Sequence, residues 1–211
     1  MSRSLAPFLR SRLARPALLA AVLALPAVAA ATDPNTLGLF YDQGATVNEV
    51  AIDANTQQAL YLVLLDPVND DYGGGSSRNV AYVGGFECGI QPAGSDILLS
   101  VDFPLAAVNV GSTANLIVGY ATALPVGSGR AATLATLRVF SFGNNRDGYR
   151  LGPASPSSLY GAMAYVDAED EADNLVAMLP TSGAFEQAVF WFGQWHVRES
   201  ARWGEVKSLF R

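Results

Sequence analysis

The sequence predicts an all-β fold, a sandwich or barrel, and three observations carry that expectation. Apolar residues recur with period two in short runs, not at helical spacing. Clusters of Gly, Pro, Asn and Asp separate those runs. No amphipathic helical pattern alternates with them, so a parallel sheet wrapped by helices is not expected.

The elements follow in order. "LGLFYD" (37–42) reads as an opening strand, and "QQALYLVLLDP" (57–67), apolar at both parities, as a central strand covered on both faces. In "NVAYVGGFECGI" (79–90), Val80, Tyr82, Phe86, Cys88 and Ile90 share one parity. Asn79, Gly85, Glu87 and Gly89 share the other, so Cys88 is expected in the core as a small hydrophobe. The two glycines inside that run predict a bulge or a close approach of another backbone. "DILLSVDF" (96–103) sets Ile97, Leu99, Val101 and Phe103 against Asp96, Ser100 and Asp102. "ANLIVGYAT" (114–122), "AATLATLRVFSF" (131–142), "LYGAMAYVDA" (159–168) and "AVFWFGQWHV" (188–197) complete the strands. The intervening "DPVNDDYGGGSSRN", "QPAGSD", "LPVGSGR", "GNNRDG" and "LGPASPSS" read as turns.

Residues 1–31 read as a signal peptide. Arg3, Arg10, Arg12 and Arg15 precede the apolar run "PALLAAVLALPAVAAA", and Ala29 and Ala31 fit the cleavage positions. That run is shorter than the roughly 20 residues that span a bilayer, and no second long one follows, so no transmembrane helix is expected in the mature chain. The expected location is secreted, extracellular or at the cell surface, after cleavage near Ala31. Without the leader the chain carries nine basic and nineteen acidic residues, a net charge of −10. Such a surface repels phosphate backbones and argues against nucleic acid as a partner. Cys88 is the only cysteine, so no internal disulfide forms. Residues 32–198 are long enough to form one domain with a substantial core.

The order "NTLGLFYD", "ALYLVLLDP", "VGGFECGI" and "ATLATLRV" resembles the cohesin-like and related immunoglobulin-like sandwiches of bacterial secreted proteins. Val83 to Ile90 and Arg130 to Val139 match the pattern of strands from the two packed sheets. The chain is also similar to small exported proteins that combine "AYVDAED…NLVAMLPTSG" with a short Trp-Gly…Lys-Ser-Leu ending. The resemblance implies an antiparallel immunoglobulin-like β-sandwich and carries over no recognition residue.

Catalytic constellations are sparse. His196 is the sole histidine, which excludes any two-His metal site, and no G-x-S-x-G elbow accompanies it. Gly73, Gly74 and Gly75 lack the Lys-Ser/Thr of a phosphate loop and read as a hairpin tip. "DAEDEAD" gathers Asp167, Glu169, Asp170, Glu171 and Asp173. It is expected to be a solvated acidic loop, with Asp167, Glu169 and Asp170 as weak calcium candidates. In "FWFGQWHV" Phe190 and Phe192 lie on one strand face and Trp191 and Trp195 on the other, where exposed indoles would stack on sugar rings.

The ending "RWGEVKSLFR" differs from the rest. Arg198 to Arg211 hold four basic and two acidic residues, a net of +2 beside a body near −12. Trp203, Val206 and Phe210, with Leu209 adjacent and Arg202 and Lys207 flanking, form a short amphipathic helical pattern. A helix this short is marginal alone and must fold on its own domain, a partner or an envelope surface. Residues 199–211 are therefore expected to be a docking or sorting segment that engages a protein or cell-envelope partner. The function expected is a non-enzymatic exported domain acting by surface contacts, with no cofactor. A carbohydrate-binding module using Trp191 and Trp195 is the alternative, with polysaccharide as ligand, and a hydrolase comes third.

Overall fold

The structure is a computed structural model that describes residues 33–72, 76–143, 147–170 and 175–193. The expected leader (1–31), Trp195, His196 and the segment 199–211 lie outside the described residues. Among the described residues there are strands and no α-helix. The strands are β1 (Thr36–Phe40), β2 (Glu49–Val50), β3 (Thr56–Leu65), β4 (Val68–Tyr72), β5 (Ser76–Asn79), β6 (Tyr82–Gln91) and β7 (Ile97–Asp102). They continue with β8 (Ala107–Asn109), β9 (Asn115–Pro125), β10 (Ala131–Ser141), β11 (Arg150–Gly152), β12 (Met163–Asp167), β13 (Leu175–Pro180) and β14 (Trp191–Phe192).

The main sheet runs β7-β10-β3-β1-β13-β12-β6-β9-β8, with β11 also paired to β6. Every pairing in it is antiparallel except β1 with β13, where Thr36 and Leu37 face Leu179 and Pro180 in parallel. The sheet is therefore mixed, where a purely antiparallel one was expected. Period-two patterning identifies which side chains share a face; it carries no information on strand direction.

Chain connectivity forces this sheet to curl. β7 and β8 stand at opposite ends of the strand path, yet only four residues, Phe103–Ala106, separate them in sequence. Five Cα steps span at most about 18 Å, whereas nine strands laid flat would be about 38 Å wide. The two ends must therefore approach each other, and side chains meet across the gap. The rings of Phe86 on β6 and Phe103 lie 6.5 Å apart. The Tyr120 hydroxyl on β9 donates to the Leu134 carbonyl on β10 at 2.6 Å. One apolar core fills the interior, with Leu37, Leu62, Phe86, Leu116, Leu137 and Phe190 among its members.

Bulges account for the places where alternation misassigns a face, because one extra residue reverses the parity beyond it. The first lies in β6 at Gly84, where register with β12 shifts. Before it Tyr82 is exposed and Val83 buried; after it Phe86, Cys88 and Ile90 are buried as expected. Gly85 lies so close to β9 that a Cβ there would collide with the Val118 carbonyl oxygen. The second lies in β7 beside Leu99, where register with β10 shifts between Leu98 and Ser100. Ile97 and Leu99 consequently point outward, half exposed, while Leu98, Val101 and Phe103 pack on the core. The third is Leu134 in β10, the extra residue between Thr133 and Ala135, whose carbonyl Tyr120 satisfies.

Two further expectations are corrected. "DPVNDDYGGGSSRN" is more than a turn, since its flanks pair as the β4–β5 hairpin, and a strand of Asn, Asp and Ser leaves no apolar alternation to detect. The strand expected over 188–197 is, within the described residues, only the two-residue β14 with a bridge at Phe190, and it pairs in parallel with β2.

Candidate functional site

The densest polar chemistry lies where the β4–β5 hairpin meets the end of β12. Asn35 and Asp66 flank the corner that leads into the hairpin, both at positive φ (57° and 50°), which short polar side chains tolerate. Asn35 Oδ1 accepts the Val68 N–H at 2.8 Å and the Tyr165 hydroxyl at 2.9 Å. Burial, reinforced by the nearby Asp167 charge, pushes the Tyr165 phenol above its usual range, so it stays a donor. Asn69, itself buried, donates through Nδ2 to Asp167 Oδ2 at 3.0 Å and to Asp170 Oδ2 at 3.1 Å. From β5, Arg78 Nη2 reaches both Asp167 oxygens at 2.6 and 2.7 Å, and Nη1 reaches Glu169 Oε2 at 2.6 Å. Beside this clamp a cleft of about 540 Å³ is bounded by Asn35, Asn69, Asp70, Asp71, Leu159 and Leu175.

Over its described residues, 167–170, this geometry replaces the solvated acidic loop expected for "DAEDEAD". The Asp167 side chain is 0% exposed and Asp170 is buried, both tied to groups from the hairpin. Glu169, Asp167 and Asp170 are brought together, but their oxygens face Arg78, Asn69 and the Glu169 N–H. A calcium shell needs 6–8 oxygens, and a cation there would compete with the guanidinium already in place. Among the described residues no group of three or more His, Cys, Asp or Glu side chains is arranged to hold a metal ion. Glu171 and Asp173 lie outside the described residues.

Two more carboxylates are buried, and alternation alone foresaw neither. Asp96 accepts the Ser141 hydroxyl (2.9 Å) and the Phe142 N–H (3.2 Å) on one oxygen and the Tyr149 hydroxyl (2.8 Å) on the other. It ties the start of β7 to the end of β10 and to Tyr149. Glu87 accepts the Ser158 N–H and hydroxyl at 2.7 and 2.8 Å and so pins the loop before β12. Each is a carboxylate with its lone pairs committed to fixed donors, which is the arrangement buried charge requires.

Cys88 is fully buried in the core. Burial, with the adjacent Glu87 charge adding, pushes its thiol well above the ordinary range, so the nucleophilic thiolate is suppressed. Native protein is expected to resist maleimide until denaturant is added, and Cys88→Ser to cost about 1–3 kcal/mol in urea unfolding. Rapid stoichiometric labelling of native protein would contradict this placement.

Of the two sugar-stacking candidates, Trp191 is half-buried on β14, opposite Glu49 and beside Gly148, while its neighbours Phe190 and Phe192 are fully buried. Trp195 lies outside the described residues, as do the docking candidates Arg202, Trp203, Val206, Lys207, Leu209 and Phe210. The structure brings together a surface that the sequence reading missed. On the outer face of β7 and β10, Phe140 is the cross-strand partner of Ile97, and the Phe140 and Phe142 rings meet edge-on at 5.2 Å. Ile97, Leu99 and Phe142 are 50%, 48% and 49% exposed. The signal was present in "LRVFSF", where apolar residues occupy both parities.

No protein-family model, curated protein or solved structure matches this chain.

Proposed function

We propose that the chain is an exported, non-enzymatic domain of the immunoglobulin-like, cohesin-like β-sandwich kind. It acts through surface contacts, in extracellular assembly or attachment, and carries a docking or sorting segment at residues 199–211. The observation that carries this reading is the division of labour among side chains. The buried carboxylates Asp96, Glu87, Asp167 and Asp170 are engaged by structural donors, while the apolar Ile97, Leu99 and Phe142 face solvent. The curl of the sheet around one core supports the sandwich form. The Arg-rich start and apolar run before Thr32 support export.

The test compares the full-length protein with a variant lacking 199–211, expressed in a secreting bacterial host. The expected result is a melting temperature changed by no more than a few degrees and a clear redistribution between cell surface and medium. Trp203→Ala with Phe210→Ala should reproduce the redistribution. If the truncated domain unfolds, or if its distribution is unchanged, the segment has no sorting role. A carbohydrate-binding reading draws on Trp191, which is half-buried where its neighbours Phe190 and Phe192 are fully buried. It predicts retention on insoluble polysaccharide that Trp191→Ala abolishes.

A further inference from the structure

We infer that the C-terminal segment rests on its own domain, with the apolar face of Trp203, Val206 and Phe210 laid over the outward patch of Ile97, Leu99, Phe140 and Phe142. The inference rests on the docking role proposed above and names the surface that holds the segment before any external partner does.

Position is the first ground. The described chain ends at Gly193, whose N–H donates to the Val50 carbonyl at 2.8 Å, next to β14. Three residues earlier, the Phe190 carbonyl accepts the Tyr149 N–H at 2.7 Å, and the Tyr149 hydroxyl reaches Asp96, the residue before Ile97. At the same end of the sheet, Gln57 at the start of β3 faces Phe140 across the ladder. The chain therefore leaves the domain at the end where the patch lies.

Length is the second. Eighteen residues follow Gly193. They extend up to about 60 Å as an open chain, and a 14-residue helix over 198–211 is about 20 Å long, so the segment reaches the patch without strain. Such a helix needs a surface to be stable.

Charge selects among occupants. Residues 32–193 carry five basic and seventeen acidic side chains, a net of −12, against +2 for 194–211. Attraction brings the segment to its own domain at the high local concentration set by a short tether. A second copy would bring another strongly acidic body to the same face, where like charge opposes approach.

The buried Cys88 makes a direct test available, because introduced thiols are the accessible ones. Gln57→Cys, exposed beside Phe140, is combined with Ser208→Cys in the full-length chain, leaving every apolar residue in place. A short bis-maleimide at low protein concentration should give an intramolecular cross-link in most molecules. Yield should fall several-fold when Trp203→Ala and Phe210→Ala are added. Tyr160→Cys, fully exposed in the loop before β12, replaces Gln57→Cys as the control and should cross-link poorly. Equal yields at the two positions, or cross-linked dimers in place of monomers, would overturn the inference, the second outcome pointing to another copy as occupant. Localisation of the truncated chain is independent of these yields, so a failed cross-link with altered sorting refutes the resting position alone. An intact cross-link with unaltered sorting refutes the sorting role alone.

Discussion

Arg78→Ala is expected to lower the stability of the domain by about 3–5 kcal/mol, the cost of leaving a buried charge without its partner. The effect comes from Asp167 more than from the arginine. Arg78 keeps 22% of its side chain in solvent, while the Asp167 side chain has none, and two of its contacts come from the guanidinium. Among the described residues, truncation leaves Asn69 and the Glu169 N–H as the remaining donors, too few to replace water around an ionised carboxylate. Surface pairs set the scale for comparison. Arg130–Asp66, at 2.8 Å, has side chains 44% and 30% exposed, and Arg130→Ala should cost under about 1 kcal/mol. Asp167→Asn in the Arg78→Ala background should recover part of the loss by removing the stranded charge. Urea unfolding of the three variants against the parent chain measures all of this. Hydrogen exchange should show faster opening at 68–79, because Arg78 and Asn69 hold the hairpin to β12. Equal costs for Arg78→Ala and Arg130→Ala would mean that the clamp contributes no more than a surface pair.

How much of this was legible in the sequence depends on which physical signal each element carries. Strands that bury one face announced themselves by period two, and β6, β9, β10 and β12 lie where alternation predicts them, while β1 and β3 lie where continuous apolar runs predict them. β4 and β5 are held by side-chain clamps and have no apolar face, so composition marks them as turn. β8, β11 and β13 escaped for other reasons. The first two have three residues each, too few to establish a period, and β13 reads "LVAMLP", whose apolar residues occupy both parities. Faces were legible only between bulges. The glycines at 84 and 85 signalled one; nothing in "DILLSVDF" or "ATLATL" marks Leu99 or Leu134 as the extra residue.

The candidate site was legible as composition and not as geometry. "DAEDEAD" is an acidic cluster by composition, but its partners Asn69 and Arg78 stand 98 and 89 positions from Asp167. No local spacing rule connects them. Asp96 was assigned to a solvent face because alternation treats every carboxylate as an outward residue, whereas Ser141, Phe142 and Tyr149 converge on it from about 50 residues away.

Alkaline solution should unfold this domain steeply, and the sign follows from four buried acids. Burial is the leading cause that raises Tyr120, Tyr149, Tyr165 and Cys88 above their ordinary ranges. Neighbouring negative charge adds to it, from Asp96 at Tyr149, Asp167 at Tyr165 and Glu87 at Cys88. In the unfolded chain a thiol titrates near about 8.5 and a phenol near about 10. The folded domain keeps those protons at a pH where the unfolded chain has lost them. The stability they represent is therefore complete below about pH 8 and falls as pH rises, by about 1.4 kcal/mol per pH unit for each group past its unfolded value. A domain stable by 5–15 kcal/mol, the usual range, then reaches its midpoint by about pH 11–12. Few other groups obscure this slope, because Lys207 is the only lysine and arginines keep their charge throughout the window. Urea midpoints measured from pH 7 to 11 should be flat at first and then decline with a steepening slope, while part of the phenolate absorbance appears only with unfolding. Tyr149→Phe should lower stability at pH 7, since Asp96 loses a donor, and should make the alkaline decline shallower by one group's share. Urea midpoints that stay level to pH 11, with every phenol ionising while the fold persists, would show that these hydroxyls are not held away from water as the structure places them.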